Sequence, residues 1–277
     1  MTTTTDFDPG PPPAGVIEVT LSDDQIDAFR RDGFTSIDRI TTDEELAWLA
    51  PIYDLLFAGK RGSWKGSYFD LARPYDSDGD DFVPQVLTPE HRFPQLLQTN
   101  VARNARSIAA QLLGQPPGDL KQWGHMILKP AKVGGELPWH QDEAYWDEHL
   151  AYQAVGCWMP LDPATVASGC MHFLPGSHRG DVRAHRHIGD DPTVHGLLTD
   201  DVDPATEVAV PLDPGGATFH HCRTLHRTTP NVSGRVRRAW ANEFQVEPSP
   251  LPADQVPDRP WLRAGREAWD NRPAYRK

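Results

Sequence analysis

The sequence predicts a mainly β domain, a sandwich or jelly roll, preceded by α-helices. From about residue 121 onward, short β-like runs alternate with turns rich in Pro, Gly and Asp. Crossover helices between these runs are missing, which argues against a parallel sheet. The chain of 277 residues contains 27 Pro and 22 Gly, a proportion below the roughly 25–30% that marks low complexity. A globular protein rich in turns is therefore expected.

The first part of the chain is predicted to be helical. Residues 1–16 are rich in Thr, Pro and Gly, so we expect a flexible tail. Ser22 and Thr42 each stand three residues before a Gln or Glu, as in a capping box at the start of a helix. The predicted helices cover about 22–32, 43–58 and 100–113.

The second part of the chain is predicted to hold the β core, at about 121–247, so that 17–277 form a single domain. The expected strands are 123–129, 154–161, 170–174, 208–212, 216–221 and 237–246. Two long segments, 59–82 and 181–207, do not follow the strand rhythm and are rich in acidic residues. Long loops of this kind often cover active sites, so both are predicted to be lid-like.

Composition excludes several classes of function. The formal net charge is −12, which argues against binding to nucleic acid or to an anionic membrane. No apolar run approaches the roughly 18 residues needed to span a bilayer. Three cysteines without a secretory signature favour a reducing compartment, so we expect a cytoplasmic protein. The sequence leaves the oligomeric state open.

The first candidate for chemistry is the triplet His140-Gln141-Asp142, which follows a Gly-Gly turn. On a strand, side chains at i and i+2 point to the same face, so His140 and Asp142 could converge on one metal ion. By itself the triplet is also typical of a hydrogen-bonded surface histidine.

The second candidate is a histidine followed by arginines. Between Phe219 and Asn242 there are five arginines and no acidic residue, although the whole chain is acidic. His226 lies in this stretch, and Arg235 and Arg237 follow it after a turn. The stretch indicates a local anion-binding site, or alternatively an exposed basic strand that balances nearby acids.

Together these residues predict a non-haem Fe(II) oxygenase. Two histidines and one carboxylate leave neighbouring positions of an octahedral ion open for a 2-oxo acid and O2. The far carboxylate of that acid requires a bidentate donor, which Arg supplies and Lys does not. Two alternatives stay open: a non-redox jelly-roll protein that binds a ligand or a structural metal, and a hydrolytic metalloenzyme.

Four segments in order resemble the phytanoyl-CoA dioxygenase family of Fe(II)/2-oxoglutarate-dependent oxygenases. They are LSDDQIDAFRRDGFTSIDRITTDEELAWL, ELPWHQDEAYW, AVGCWMPLDPATVASGCMHFLPGSHRG and HHCRTLHRTTPNVSGRVRRAW. The resemblance implies a double-stranded β-helix, the cupin-like jelly roll, with helices packed on its N-terminal side. It also implies Fe(II) as the cofactor, with 2-oxoglutarate and O2 as co-substrates.

The resemblance also implies roles for single residues. His140, Asp142 and His226 match the iron ligands, and Arg237 matches the arginine that holds the far carboxylate of 2-oxoglutarate, with Arg235 as the competing residue. The co-substrate pocket would also include Thr228 and Trp158. The candidates for substrate contact are Trp146, Tyr145 and His125, although each could instead have a structural or solvent-facing place.

The expected reaction is the hydroxylation of an unactivated carbon in a small molecule, such as a secondary metabolite, with release of succinate and CO2. Asp142 disfavours halogenation, because halogenases of this type leave the carboxylate position vacant for chloride. Desaturation, cyclisation or epimerisation and an acyl-CoA substrate are the alternatives that the sequence leaves open.

Overall fold

The computed structural model describes residues 7–59, 66–75, 77 and 79–271. Its helices are α1 (Asp23–Asp32), α2 (Asp43–Phe57), α3 (Asn100–Leu113) and α4 (Pro260–Asp270). The strands before the β core are β1 (Phe34–Ile37), β2 (Tyr68–Asp70) and β3 (Pro84–Leu87). Those that follow are β4 (Lys121–Lys129), β5 (Leu137–His140), β6 (Leu150–Ala151), β7 (Ala154–Pro160), β8 (Met171–Phe173), β9 (Arg186–His187), β10 (Leu197–Leu198), β11 (Val208–Val210), β12 (Ala217–His221), β13 (His226–Thr228), β14 (Arg237–Gln245) and β15 (Ser249–Pro250).

Two antiparallel sheets form the jelly roll. The larger has seven strands in the order β1-β12-β7-β14-β4-β3-β2, and the smaller has four in the order β11-β8-β13-β5. β6 pairs with β15 and β9 with β10 in two small ribbons. The predicted mainly β fold with N-terminal helices is confirmed.

Alternation along the strands of the larger sheet separates a helix-covered face from an inner face. Met159 and Trp240 belong to the core that α1, α2 and α3 share with the sheet. Their neighbours Trp158, Ala239 and Ala241 pack between the two sheets with residues of β8. Because side chains alternate along a strand, β14 also turns Arg237 towards the inner face.

The helix starts follow the predicted capping signals with one difference. Ser22 and Gln25 form the capping box of α1. Thr42 accepts a hydrogen bond from the Glu45 backbone, but the Glu45 side chain does not return it. Instead its buried carboxylate accepts from the backbone of Asn100 and Val101, the first turn of α3. Glu45 therefore joins two helices that are far apart in sequence.

Part of the predicted tail is packed against the helices, and residues 1–6 of it lie outside the described residues. The Phe7 ring contacts Phe93 at 6.2 Å, and Trp48 Nε1 donates to the Pro9 carbonyl. Asn100 Nδ2 donates to the Gly15 carbonyl. Residues 7–16 are thus anchored by ring contacts and backbone hydrogen bonds.

The two predicted lid segments contain regular structure. β2 lies within 59–82 and pairs with β3, while 60–65, 76 and 78 lie outside the described residues. The segment 181–207 contains the β9–β10 ribbon. In the described part of the chain, no helix combines the length and hydrophobicity that crossing a membrane requires.

Candidate functional site

Three side chains that could hold a metal ion meet at one end of the smaller sheet. His140 is the last residue of β5, and His226, the first of β13, is its cross-strand partner. Asp142 lies in the 3-10 turn after β5. The expectation that the triplet lies on one strand is therefore wrong. Asp142 reaches the histidines because the chain turns after His140.

The three side chains are close enough to share one ion. Each offers a ligand atom within 4.8 Å of the other two. Nε2 of His226 lies 3.4 Å from Asp142 Oδ1, and Nε2 of His140 lies 3.9 Å from the same oxygen. Two imidazoles and one carboxylate are the donor set of non-haem iron sites.

Backbone carbonyls orient both histidines. Nδ1 of His140 donates to the Pro138 carbonyl at 2.7 Å, and Nδ1 of His226 donates to the Thr224 carbonyl at 2.9 Å. Each bond leaves the Nε2 lone pair facing Asp142, as is typical of metal-binding histidines. Burial lowers the pKa of His140 to about 3, which keeps its imidazole neutral and able to bind a metal.

The centre of the triad attracts positive charge. Burial acts to lower the pKa of His226, but the nearby Asp142 carboxylate acts in the opposite direction and outweighs it. The pKa of His226 is therefore raised above its ordinary value. A cation between these ligands would meet the same field. The residues present therefore fit an iron ion.

A third histidine, which sequence reasoning assigned no role, holds the carboxylate. Nε2 of His220 on β12 lies 2.9 Å from Asp142 Oδ2, the oxygen that faces away from the other histidines. His220 is buried. It therefore fixes the carboxylate from the opposite sheet, a contact between residues 78 positions apart that the sequence does not signal.

The residue after Asp142 is clamped by two distant arginines. The Glu143 side chain binds Arg223 at 2.6 Å and buried Arg259 at 3.0 Å. Arg259 also donates to the Glu143 carbonyl, and Trp261 Nε1 donates to the Ala144 carbonyl at 2.9 Å. These bonds fasten the turn Asp142–Tyr145, which we call the metal loop, to the C-terminal segment. Sequence reasoning missed this contact because no helix was predicted in the C-terminal segment.

Beside the triad, a cavity contains the residues predicted for the co-substrate. His140, Asp142, His226, Trp158, Thr228 and Arg237 all line it. Arg237 is only 1% exposed, and its Nε and Nη1 have no hydrogen-bond partner among the described residues. The same holds for the hydroxyl of Thr228. Buried polar groups without partners are rare, so these donors fit an absent anionic ligand.

Electrostatics of this cavity favour an anion. Burial lowers the pKa of Arg237 to about 10, and its guanidinium lies 5.1 Å from the centre of the Trp158 ring. Lys129, the β4 partner of Arg237 in register, is also buried, but its Nζ donates to the Thr228 and Thr229 carbonyls and it is not among the residues that line the cavity. Arg235 is exposed and precedes the strand. Of the two competing arginines, the structure places only Arg237 in the cavity.

A second cavity, which we call the inner compartment, opens from the triad and has a volume of about 200 Å³. The three residues predicted for substrate contact, His125, Tyr145 and Trp146, line it together with His140 and Asp142. Leu71 and His195, one from each lid-like segment, also reach it. The remaining walls, which sequence reasoning missed, are Gln85, Leu87, Trp123, Ile127, Leu137 and Glu243.

The predicted substrate residues differ in how they are held. Tyr145 accepts a hydrogen bond from the Leu197 backbone at 2.7 Å, so its ring is fixed. The Trp146 ring packs against Trp123 at 5.7 Å. Burial lowers the pKa of His125 to about 4, so that imidazole is neutral near pH 7.

Comparison with known proteins agrees with this geometry. The family model of phytanoyl-CoA dioxygenase (PhyH) matches residues 29–239, from α1 into β14. The chain belongs to the phytanoyl-CoA dioxygenase family. This membership confirms the predicted class: the protein is a 2-oxoglutarate-dependent non-haem iron dioxygenase, and its His-Asp-His triad fits the iron site.

Solved structures and curated relatives of this phytanoyl-CoA dioxygenase family member support the assignment. A crystal structure of EvdO2 from Micromonospora carbonacea var. aurantiaca is 41% identical, with a TM-score of 0.78, and the match covers 89% of this chain and 99% of EvdO2. A second EvdO2 structure, complexed with 2-oxoglutarate, is 39% identical, with a TM-score of 0.77 and coverage of 89% and 98%.

Curated relatives match over different lengths. Phytanoyl-CoA dioxygenase from Arabidopsis thaliana is 24% identical over 256 residues, which cover 80% of this chain and 88% of the relative. Phytanoyl-CoA dioxygenase domain-containing protein 1 from Danio rerio is 31% identical over 120 residues, which cover 41% of this chain and 40% of the relative. The chain thus spans two fifths of the Danio rerio protein that it matches.

Proposed function

We propose that the protein hydroxylates an unactivated carbon of a small-molecule substrate and releases succinate and CO2 from 2-oxoglutarate. One observation carries the proposal: the guanidinium fork of Arg237 is buried in the cavity that the triad lines, and its Nε and Nη1 have no hydrogen-bond partner among the described residues. Such a fork matches a carboxylate bidentately. The 2-oxoglutarate complex of EvdO2, a relative of 39% identity, agrees with this choice of ligand.

The residues around the fork have distinct roles in the proposal. Arg237 binds the far carboxylate of 2-oxoglutarate, and the Thr228 hydroxyl donates to the same carboxylate. Trp158 forms an apolar wall and holds the guanidinium against its ring face. A charged ligand in this dry cavity is held strongly, because buried electrostatic interactions are screened little.

The residues of the triad position the metal. His140, Asp142 and His226 hold the iron, and His220 keeps the second carboxylate oxygen of Asp142 occupied. Iron bound in such a site couples the oxidative decarboxylation of the 2-oxo acid to the oxidation of a carbon atom. Carbonyl bonds to Nδ1 keep both imidazole rings in a single orientation for this purpose.

In the proposal, the substrate occupies the inner compartment. Leu87, Ile127 and Leu137 supply apolar surface that excludes water. His125, Tyr145 and Trp146 contact the substrate. The acidic segments 59–82 and 181–207 act as lids and favour a neutral or cationic substrate over an anionic one.

We also propose that the protein is located in the cytoplasm. Cys157, Cys170 and Cys222 are buried and unbridged, as expected of thiols in a reducing compartment.

Two measurements test the proposal. Anaerobic addition of Fe(II) and 2-oxoglutarate should produce a visible metal-to-ligand charge-transfer band, which Asp142→Ala or His140→Ala should remove. In air, a metabolite panel should reveal a compound that stimulates succinate formation and gains one oxygen atom by mass spectrometry. A product that instead loses two hydrogens would indicate desaturation or cyclisation, and absence of both band and succinate would refute the proposal.

A further inference from the structure

A cavity separate from the metal site lies beside the C-terminal helix. It has a volume of about 190 Å³. We call it the outer compartment and define it by its main wall residues, Tyr75, Tyr145, His195, Trp261, Leu262 and Trp269. Four segments build it: the later part of the first lid-like segment, the 3-10 turn after β5, the ribbon β9–β10 with its connecting loop, and α4. None of the metal ligands lines it.

The outer compartment adjoins the inner one. Tyr145 and His195 line both cavities. Their rings stack at 5.4 Å with an interplanar angle of 22°, and the Tyr145 ring lies 6.0 Å from His140. A single aromatic ring therefore separates a metal ligand from the outer compartment. The stacked pair is thus a wall that the two compartments share.

The walls of the outer compartment suit a neutral ring. The rings of Tyr75 and Trp269 meet at 4.9 Å, and those of His195 and Trp269 at 6.2 Å. Aromatic faces and edges of this kind favour another ring by stacking and edge contacts. Two charged residues also line the outer compartment: Arg266 is paired with Glu148 at 2.9 Å, and Asp270 is exposed to solvent.

Hydrogen bonds hold the start of helix α4 against the metal loop. Arg259, just before the helix, binds both the carbonyl and the carboxylate of Glu143, and Trp261 binds the Ala144 carbonyl. This segment lies beyond residue 239, where the match with the family model ends. One side of the outer compartment is thus built by a part of the chain that the family match does not cover, at a defined place relative to the metal ligands.

We propose that the outer compartment is a second substrate subsite, which binds a neutral, ring-bearing part of the substrate while the carbon to be oxidised lies in the inner compartment. The proposal rests on the proposed function, because it assigns the inner compartment to the reacting carbon. It predicts a substrate of at least two connected units, longer than the inner compartment alone accommodates.

A neutral ring probe, 4-fluorophenol, tests the outer subsite. The Fe(II)- and 2-oxoglutarate-loaded protein is titrated anaerobically and followed by fluorine NMR. Trp269→Ala removes a wall ring and Leu262→Trp fills the space, so each should weaken probe binding about 3- to 10-fold. Trp123→Ala, in the inner compartment only, and Arg263→Ala, exposed on α4, should leave the affinity within about twofold.

A two-ring probe, 4-fluorobenzyl phenyl ether, tests the continuity of the two compartments. Its affinity should fall in Trp269→Ala and in Trp123→Ala alike, because one molecule contacts both residues. The proposal is overturned if the wild-type protein does not bind 4-fluorophenol, if both outer variants bind it normally, or if only one class of variant affects the longer probe. The charge-transfer band separates this result from the proposed function, since a wild-type protein with the band and without ring binding contradicts the outer subsite alone.

Discussion

Replacing Arg237 with Met isolates the contribution of one buried cation to co-substrate binding. Met retains most of the aliphatic stem against Trp158 and removes the guanidinium fork. In the structure, Nε and Nη1 of Arg237 have no hydrogen-bond partner among the described residues. In the proposed complex the guanidinium holds a carboxylate, so the variant should affect the ligand-bound state far more than the free protein.

The expected loss of affinity follows from the two hydrogen bonds. A hydrogen bond to a charged group contributes about 1.5–3 kcal/mol, so a bidentate pair contributes roughly 3–6 kcal/mol. Since about 1.4 kcal/mol corresponds to a tenfold change, Arg237→Met should weaken the binding of 2-oxoglutarate by roughly 100- to 20,000-fold.

The free energy of unfolding of the ligand-free protein should change little. Burying a cation without an anionic partner costs free energy, and removing it offsets the lost cation–π contact with Trp158. We expect a difference of no more than about 1 kcal/mol in denaturant unfolding. A much larger loss of stability would show that Arg237 is mainly structural.

The affinity is read from an anaerobic titration of the charge-transfer band with 2-oxoglutarate at fixed Fe(II). Arg235→Met provides the matched control, because Arg235 is exposed two residues away and should leave the affinity unchanged. Equal affinities for wild type and Arg237→Met, or a comparable loss in Arg235→Met, would refute the reasoning.

Three further predictions concern stability and metal binding. Glu45→Gln should lower the free energy of unfolding by about 2–4 kcal/mol, because the carboxylate accepts two backbone hydrogen bonds at the start of α3; chemical denaturation measures this. Burial lowers the pKa of His185 and of His221 to about 4, so the unfolded chain binds more protons than the folded chain below pH 6.5. The free energy of unfolding should therefore fall as the pH decreases from 6.5 towards 4, by up to about 1.4 kcal/mol per pH unit for each histidine. Arg259→Ala should weaken Fe(II) binding about 10- to 100-fold in an anaerobic metal titration, because the loop after Asp142 loses its clamp.

Each of these predictions has a matched control. Glu44→Gln changes an exposed neighbour of Glu45 and should leave stability unchanged. The double variant His185→Gln/His221→Gln should show a flatter dependence of the free energy of unfolding on pH. An unchanged dependence would contradict the role of these two histidines in the pH dependence. Arg266→Ala removes a more exposed anchor of α4 and should retain Fe(II) affinity, so equal losses in Arg259→Ala and Arg266→Ala would indicate a general role of the helix.

Local patterns in the sequence were sufficient to predict the class of fold and the positions of the first helices. Capping residues act within one turn, so Ser22 marks the start of α1 without reference to distant residues. The two-residue period of a strand likewise assigns Arg237 to a face. The structure decided which face is internal, since Arg237 enters the cavity and its neighbour Arg238 binds Asp162 on the other side.

The residue types of the triad could also be predicted from the sequence, but their arrangement in space could not. His140, Asp142 and His226 are the residue types that iron requires, at positions that resemble those of the family. Their meeting depends on the pairing of β5 with β13 and on a turn after His140. Sheet register is a long-range property, so local periodicity could not predict that Asp142 leaves the strand.

The sequence by itself thus predicted the mainly β fold, the donor set and an arginine suited to bind a carboxylate, because residue type and short spacing indicate them. Only the tertiary structure decided that His220 holds Asp142, that Arg259 clamps the metal loop and that α4 lines an outer compartment. These contacts join residues between 78 and 116 positions apart. They arise from packing between sheets and a terminal helix, which no local pattern encodes.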